Sequence, residues 1–155
     1  MTKTSDKTAP TAFDFGAANT IEAMNHPYKL QLKHPVTSAP LPAFIWHLGN
    51  DSDAFNQALD DDINEKRRKA VERERRGEPP EFVPIQEQRE GGIDLLVAAI
   101  IAADKPWEGI QENGQDIPFD VPHVKAFLLK YEWVKKQVDK SVADIERFLN
   151  NPFRS

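Results

Sequence analysis

The chain has 155 residues, 39% of them hydrophobic, with 20 Lys and Arg against 25 Asp and Glu for a net charge of −5, and no cysteine. The missing cysteines exclude disulfides and thiolate chemistry, in keeping with a reducing cytoplasm, and the acidic balance argues against wholesale nucleic-acid binding, which needs surplus cations to displace counterions. Twelve prolines against seven glycines predict short ordered pieces joined by stiff, extended links, within one ordinary domain or two very small ones.

Residues 1–12 are small, polar and charged, and bury too little surface to offset the entropy of ordering, so a disordered tail is expected. Phe13 and Phe15, followed by residues 17–24, suggest a short docking segment with a helical turn or two. At Tyr28 the period becomes two: Tyr28, Leu30 and Leu32 alternate with Lys29, Gln31 and Lys33, as in a strand with one wet face. A second strand over 43–48 places Phe44, Trp46 and Leu48 on one face, after a proline-rich loop over 35–42. Such a hairpin is marginal alone and needs a third strand, a helix or a partner chain, and the edge it leaves open is a natural docking site.

Asn50, Asp51 and Ser52 are candidate caps for a helix from Asp53, with Phe55, Leu59 and Ile63 on its apolar side. Beyond Ile63 the stripe thins to Ala70 and Val71 within KRRKAVERERR, which predicts a solvated half-helix laced by pairs such as Glu65 with Lys69. Gly77 and Pro79-Pro80 end it. Residues 13–77 thus form a hairpin and charged-helix module, 78–90 a linker, and 91–150 a helical domain. Within that domain the run 93–103 is apolar on every side except at Asp94, so it must be sheathed, and at eleven residues it is too short to cross a bilayer. Asn113-Gly114 fits a type I′ turn between short strands. Asp120 then caps a helix with Pro122 in its first turn, whose stripe runs from Val124 to Leu149 with a bend near Ser141, before Asn151-Pro152 stops it. The fold class is α+β: an N-terminal β-hairpin module, a long charged helix and a C-terminal, mainly helical domain with a small hairpin.

Residue chemistry points away from catalysis. His26, His34, His47 and His123 show no metal-ligand spacing. Asp60, Asp61 and Asp62 cannot converge on one ion from consecutive helical positions, about 100° apart. Gly91-Gly92 lacks the spacing of a phosphate cradle, and Ser38, Ser52 and Ser141 sit in no nucleophile context. No catalytic, cofactor-binding or metal-binding residue is therefore assigned. Trp107, Phe119, Tyr131, Trp133 and Val134 are the candidate protein-binding residues: aromatics at such positions are usually core, yet Trp and Tyr are also favoured interface anchors, and both roles can hold in a small domain.

Several pieces in order, LKHPVTSAPLPAFIWHLGNDSDAFNQA, then LLVAAIIAADKPWEGI, then NGQDIPFDVPHVKAFLLKYEWVKKQV and DIERFL, resemble a known pattern. It comprises strand, His-Pro-x-Thr, strand, Gly-x-Asp-Ser, charged helix, apolar helix, Trp-x-Gly, Pro-Phe, aromatic-Trp and terminal Phe-Leu. Together they resemble the small tail assembly chaperones of long-tailed bacteriophages and their prophage relatives. That resemblance implies a non-enzymatic helper that binds the tape-measure protein, keeps its hydrophobic helices soluble and brings tail-tube protein to it. It would act in the host cytoplasm, without cofactor, nucleic acid or membrane, open to self-association, and be absent from the mature virion. The alternative is a small structural subunit of the tail or head-tail connector.

Overall fold

The computed structural model describes residues 11–80 and 85–154. They form six α-helices and two separate antiparallel hairpins, an α+β architecture with the larger hairpin near the N-terminus. Of the expected disordered tail, all but Thr11 and Ala12 lies outside the described residues. Phe13 and Phe15 stack edge to face, 4.9 Å apart, and are both exposed, ahead of a 3₁₀ turn and the short helix α1 (Thr20–Met24).

Strand β1 (Tyr28–Lys33) pairs with β2 (Pro40–His47) in a register that sets Tyr28 opposite His47 and Leu30 opposite Ile45. Leu30 and Leu32 point inward, as their alternation requires. On β2 the inward residues are Ile45 and His47, so Phe44 and Trp46 face outward, while Leu48 lies past the strand end and is buried. His34 shapes the turn: its Nδ1 accepts from the backbone N–H of Val36 at 3.1 Å and of Thr37 at 3.2 Å. The edges are partly covered. Phe44 exchanges backbone hydrogen bonds of 2.8 and 2.9 Å with Glu108, and the Gln137 amide takes both backbone groups of Lys33 at 2.9 and 2.8 Å.

Helix α2 (Asp53–Arg75) starts where Ser52 Oγ accepts from Phe55 N–H at 3.2 Å and ends before Gly77, whose φ of 71° completes the stop. No residue of α2 is buried. The central helix α3 (Ile85–Ala102) begins inside what the sequence reads as the 78–90 linker; of the rest of that linker, 81–84 lie outside the described residues. Gly91 and Gly92 lie within α3 rather than breaking it. Their cost of about 1 kcal/mol each is small beside the packing of Ile93, Leu96, Val97, Ala99 and Ile100, all buried. Helix α3 touches α2 and β2 as well as the two helices that follow.

After α3, the Trp-Glu-Gly step ties the molecule together. Trp107 enters the core, Glu108 pairs with Phe44, and Gly109 turns at φ 71° so close to Pro42 that a Cβ there would meet its carbonyl oxygen at 1.8 Å. Strands β3 (Gln111–Glu112) and β4 (Gln115–Asp116) flank Asn113 and Gly114, whose φ values of 55° and 79° are those of the expected type I′ turn.

The stripe read as one bent helix is three: α4 (Val121–Lys130), α5 (Glu132–Val142) and α6 (Ile145–Leu149). Asp120 caps α4, with Pro in its first turn, and Asp144 caps α6. The unexpected break is at Tyr131, which leaves helical geometry at φ −109° and ψ 82°. Single-residue interruptions preserve three- and four-residue apolar spacing, so periodicity does not register them.

The two modules share one core. Leu30, Leu32 and Ile45 of the hairpin join Ile93, Leu96, Ile100, Val124, Leu128, Val134 and Val138 in a single cluster, which is how a two-stranded hairpin gains its covering layer. A smaller cluster joins Ala23 and Met24 of α1 to Phe148 of α6, and Tyr28 packs against both.

Candidate functional site

The expected binding residues do not form one surface. Val134 is completely buried and Trp107 nearly so, which removes both as exposed anchors; their apolar bulk goes to the core that α3 requires. Trp107 Nε1–H donates to Ile117 O at 3.0 Å, satisfying the one polar atom that burial would otherwise strand. Phe119, Tyr131 and Trp133 are half-buried and pack against the same core. Trp133 is therefore partly structural as well.

Four aromatics stand in a row behind the small hairpin. Trp107 lies 5.6 Å from Phe119 and 5.2 Å from Phe127, and Phe127 lies 5.0 Å from Tyr131. Between this row and the hairpin is an open groove of about 260 Å³ with an apolar floor of Ile117, Pro118, Ala126 and Phe127. Its polar end is already engaged: the Tyr131 hydroxyl donates to Glu112 Oε2, as does Lys130 Nζ at 2.7 Å. These contacts, Lys130 first, hold the Glu112 carboxyl below its ordinary range, while Glu112 raises both Lys130 and Tyr131. The network pins the hairpin to the α4–α5 break.

A second polar cluster is centred on a buried pair, His47 and Ser141. The carbonyl of Leu48 can only accept, so at 3.0 Å it places the His47 proton on Nδ1 and leaves Nε2 to accept from the Ser141 hydroxyl at 2.7 Å. Ser141 Oγ in turn accepts from Arg147 Nη1 at 3.2 Å. Burial, aided by the Arg147 charge and opposed by the Leu48 bond, pushes His47 from 6.5 down to about 4. A serine this close to a histidine has the spacing of a nucleophile and base, yet neither side chain reaches the surface. Its work is to join β2, α5 and α6. Among the described residues, no three His, Asp or Glu side chains converge as metal ligands, and no helix is long and apolar enough to cross a membrane.

The surface that the aromatic reading passed over is the outer face of the large hairpin. Phe44 and Trp46 neither belong to nor pack against either core. Phe153 stands edge-on to Trp46 at 5.2 Å and to Tyr28 at 6.2 Å. Lys29 Nζ lies 4.5 Å from the Phe44 ring centre, Lys105 Nζ lies 5.0 Å from that of Trp46, and Lys29 also pairs with Glu108 at 3.2 Å. Large rings on the solvent side of a two-stranded sheet, flanked among the described residues by lysine stems and a half-exposed Phe153, are apolar surface that a partner can cover. The signal was present in the sequence: Phe44 and Ile45, adjacent and both apolar, must point to opposite faces of a strand. No protein-family model, no curated protein and no solved structure matches the chain.

Proposed function

We propose that the protein is a non-enzymatic assembly chaperone of phage tails, which binds the tape-measure protein and tail-tube subunits in the host cytoplasm and leaves before the virion is complete. The identity of the partners rests on the resemblance in motif order. The observation that carries a binding role is the Phe44, Trp46 and Phe153 face, where rings lie outside both cores at half-buried or exposed positions. Such a face, rich in aromatic anchors, suits the apolar side of a partner helix. Trp133 and Tyr131, half-buried on another face, are the second place for contact.

Co-expression with the tape-measure protein of the same genome tests this. The expected result is soluble, co-purifying partner with the wild type, loss of at least about tenfold in binding with Trp46→Ala, as for an anchor worth ~1.4 kcal/mol or more, and a smaller loss with Trp133→Ala. Unchanged rescue by a folded Trp46→Ala protein would remove this face from the account. Failure of the wild type to bind any tail protein, or its presence in purified particles, would remove the chaperone reading.

A further inference from the structure

Helix α2 carries a charge pattern that its own stability does not explain. Residues 53–65 hold Asp53, Asp60, Asp61, Asp62 and Glu65 without a single base, whereas 66–76 hold seven bases against Glu72 and Glu74. An acidic start and basic end suit the helix dipole, but that effect fades within the first and last turns. Asp60, Asp61 and Asp62 lie in the third. Part of the charge is used locally, in Lys66 with Asp62, Arg68 with Glu65 and Glu72, and Arg73 and Arg76 with Glu78.

What remains is ordered. Among the described residues, Asp53, Asp60, Asp61, Arg67, Lys69, Glu74 and Arg75 of α2 enter no ion pair. Reflected about Asn64, Asp53 falls level with Arg75, and Asp60 within one residue of Arg67. Asp61 lies beside this set, Lys69 lies on the opposite side of the helix, and Glu74 meets Ala54. Asp53, Asp60, Arg67 and Arg75 also share one stripe, since steps of seven or eight residues return to nearly the same side of a helix. Val71, exposed, lies on that stripe, and Ile63, also exposed, borders it.

We propose that this outer stripe of α2 binds α2 of a second copy of the chain, antiparallel and centred near Asn64. Antiparallel pairing sets acids against bases at both ends of a contact about 34 Å long, whereas parallel pairing stacks like on like. Exposed ion pairs are individually weak and the stripe offers little apolar area, so the association is modest and depends on salt. It strengthens near 0.01 M salt, where screening extends over about 30 Å, and dissolves near 1 M, where it extends over about 3 Å. This inference does not depend on the tail-assembly reading.

A charge swap on the full chain tests it while leaving the local ion pairs intact. Asp53→Lys with Asp60→Lys makes the stripe basic; Arg67→Glu with Arg75→Glu makes it acidic. Light scattering at low salt should show the wild type moving toward doubled mass with concentration, each variant monomeric alone, and an equimolar mixture regaining the doubled mass. Circular dichroism confirms that helicity is kept in both. A wild type that stays monomeric at low salt, a single variant that still associates, or a mixture that does not would each overturn the proposal.

Discussion

Helices α2 and α3 lie against each other, yet they are stabilised in opposite ways. Helix α3 is surrounded by α2, β2, α4 and α5, and among its described side chains five apolar ones are buried. Helix α2 has no buried residue and is held by its Ser52 cap, a partly buried Phe55 and ion pairs along its own surface. Length is therefore a poor guide to structural importance here. An 18-residue helix containing two glycines organises the fold, while a 23-residue helix of good formers serves as an arm.

The largest expected effect that separates them is Ile100→Ala, which should cost about 2–5 kcal/mol because the side chain is completely enclosed. Chemical denaturation would report it, and a loss under about 1 kcal/mol, typical of surface positions, would erase the contrast. Next comes acid. His47 falls to about 4 in the folded state from 6.5, so between those values the unfolded chain holds more protons and stability drops as pH drops. The term is complete above pH 6.5, amounts to about 3 kcal/mol, and is gone near pH 4. Denaturation midpoints across that window should fall in the wild type and flatten in His47→Gln, which lacks a titrating ring. The smallest effect is at the root of the arm: Ser52→Ala should cost about 1 kcal/mol through the lost α2 cap, read as a lower denaturation midpoint with an unchanged slope.

Much of the scaffold is readable from residue patterns. The β1 alternation, the Ser52 and Asp120 caps, the Gly77 stop and the Asn113-Gly114 turn are local choices with local physical causes, and each sits where its chemistry places it. The break at Tyr131 is different, because it accompanies a contact with Glu112 on the small hairpin, well away in the chain. The early start of α3 was hidden for the same reason: Gly91-Gly92 reads as a boundary until packing outweighs its propensity. For binding residues the limit is similar. Apolar and aromatic side chains report bulk, not which face meets solvent, so sequence alone does not separate Val134 and Trp107, which belong to the core, from residues free to bind a partner. The Phe44 and Trp46 face becomes visible only once Ile45 and His47 are known to occupy the inside of β2.

Amide hydrogen exchange along the two helices tests the central contrast most directly. Protection in α3 over 93–102 should approach the free energy of global unfolding, while the amides of 66–76 in α2 of the monomer, measured at high salt, should exchange through local opening at a far lower cost. Equal, high protection in both segments would contradict the account, since it would require the outer half of α2 to unfold only with the core.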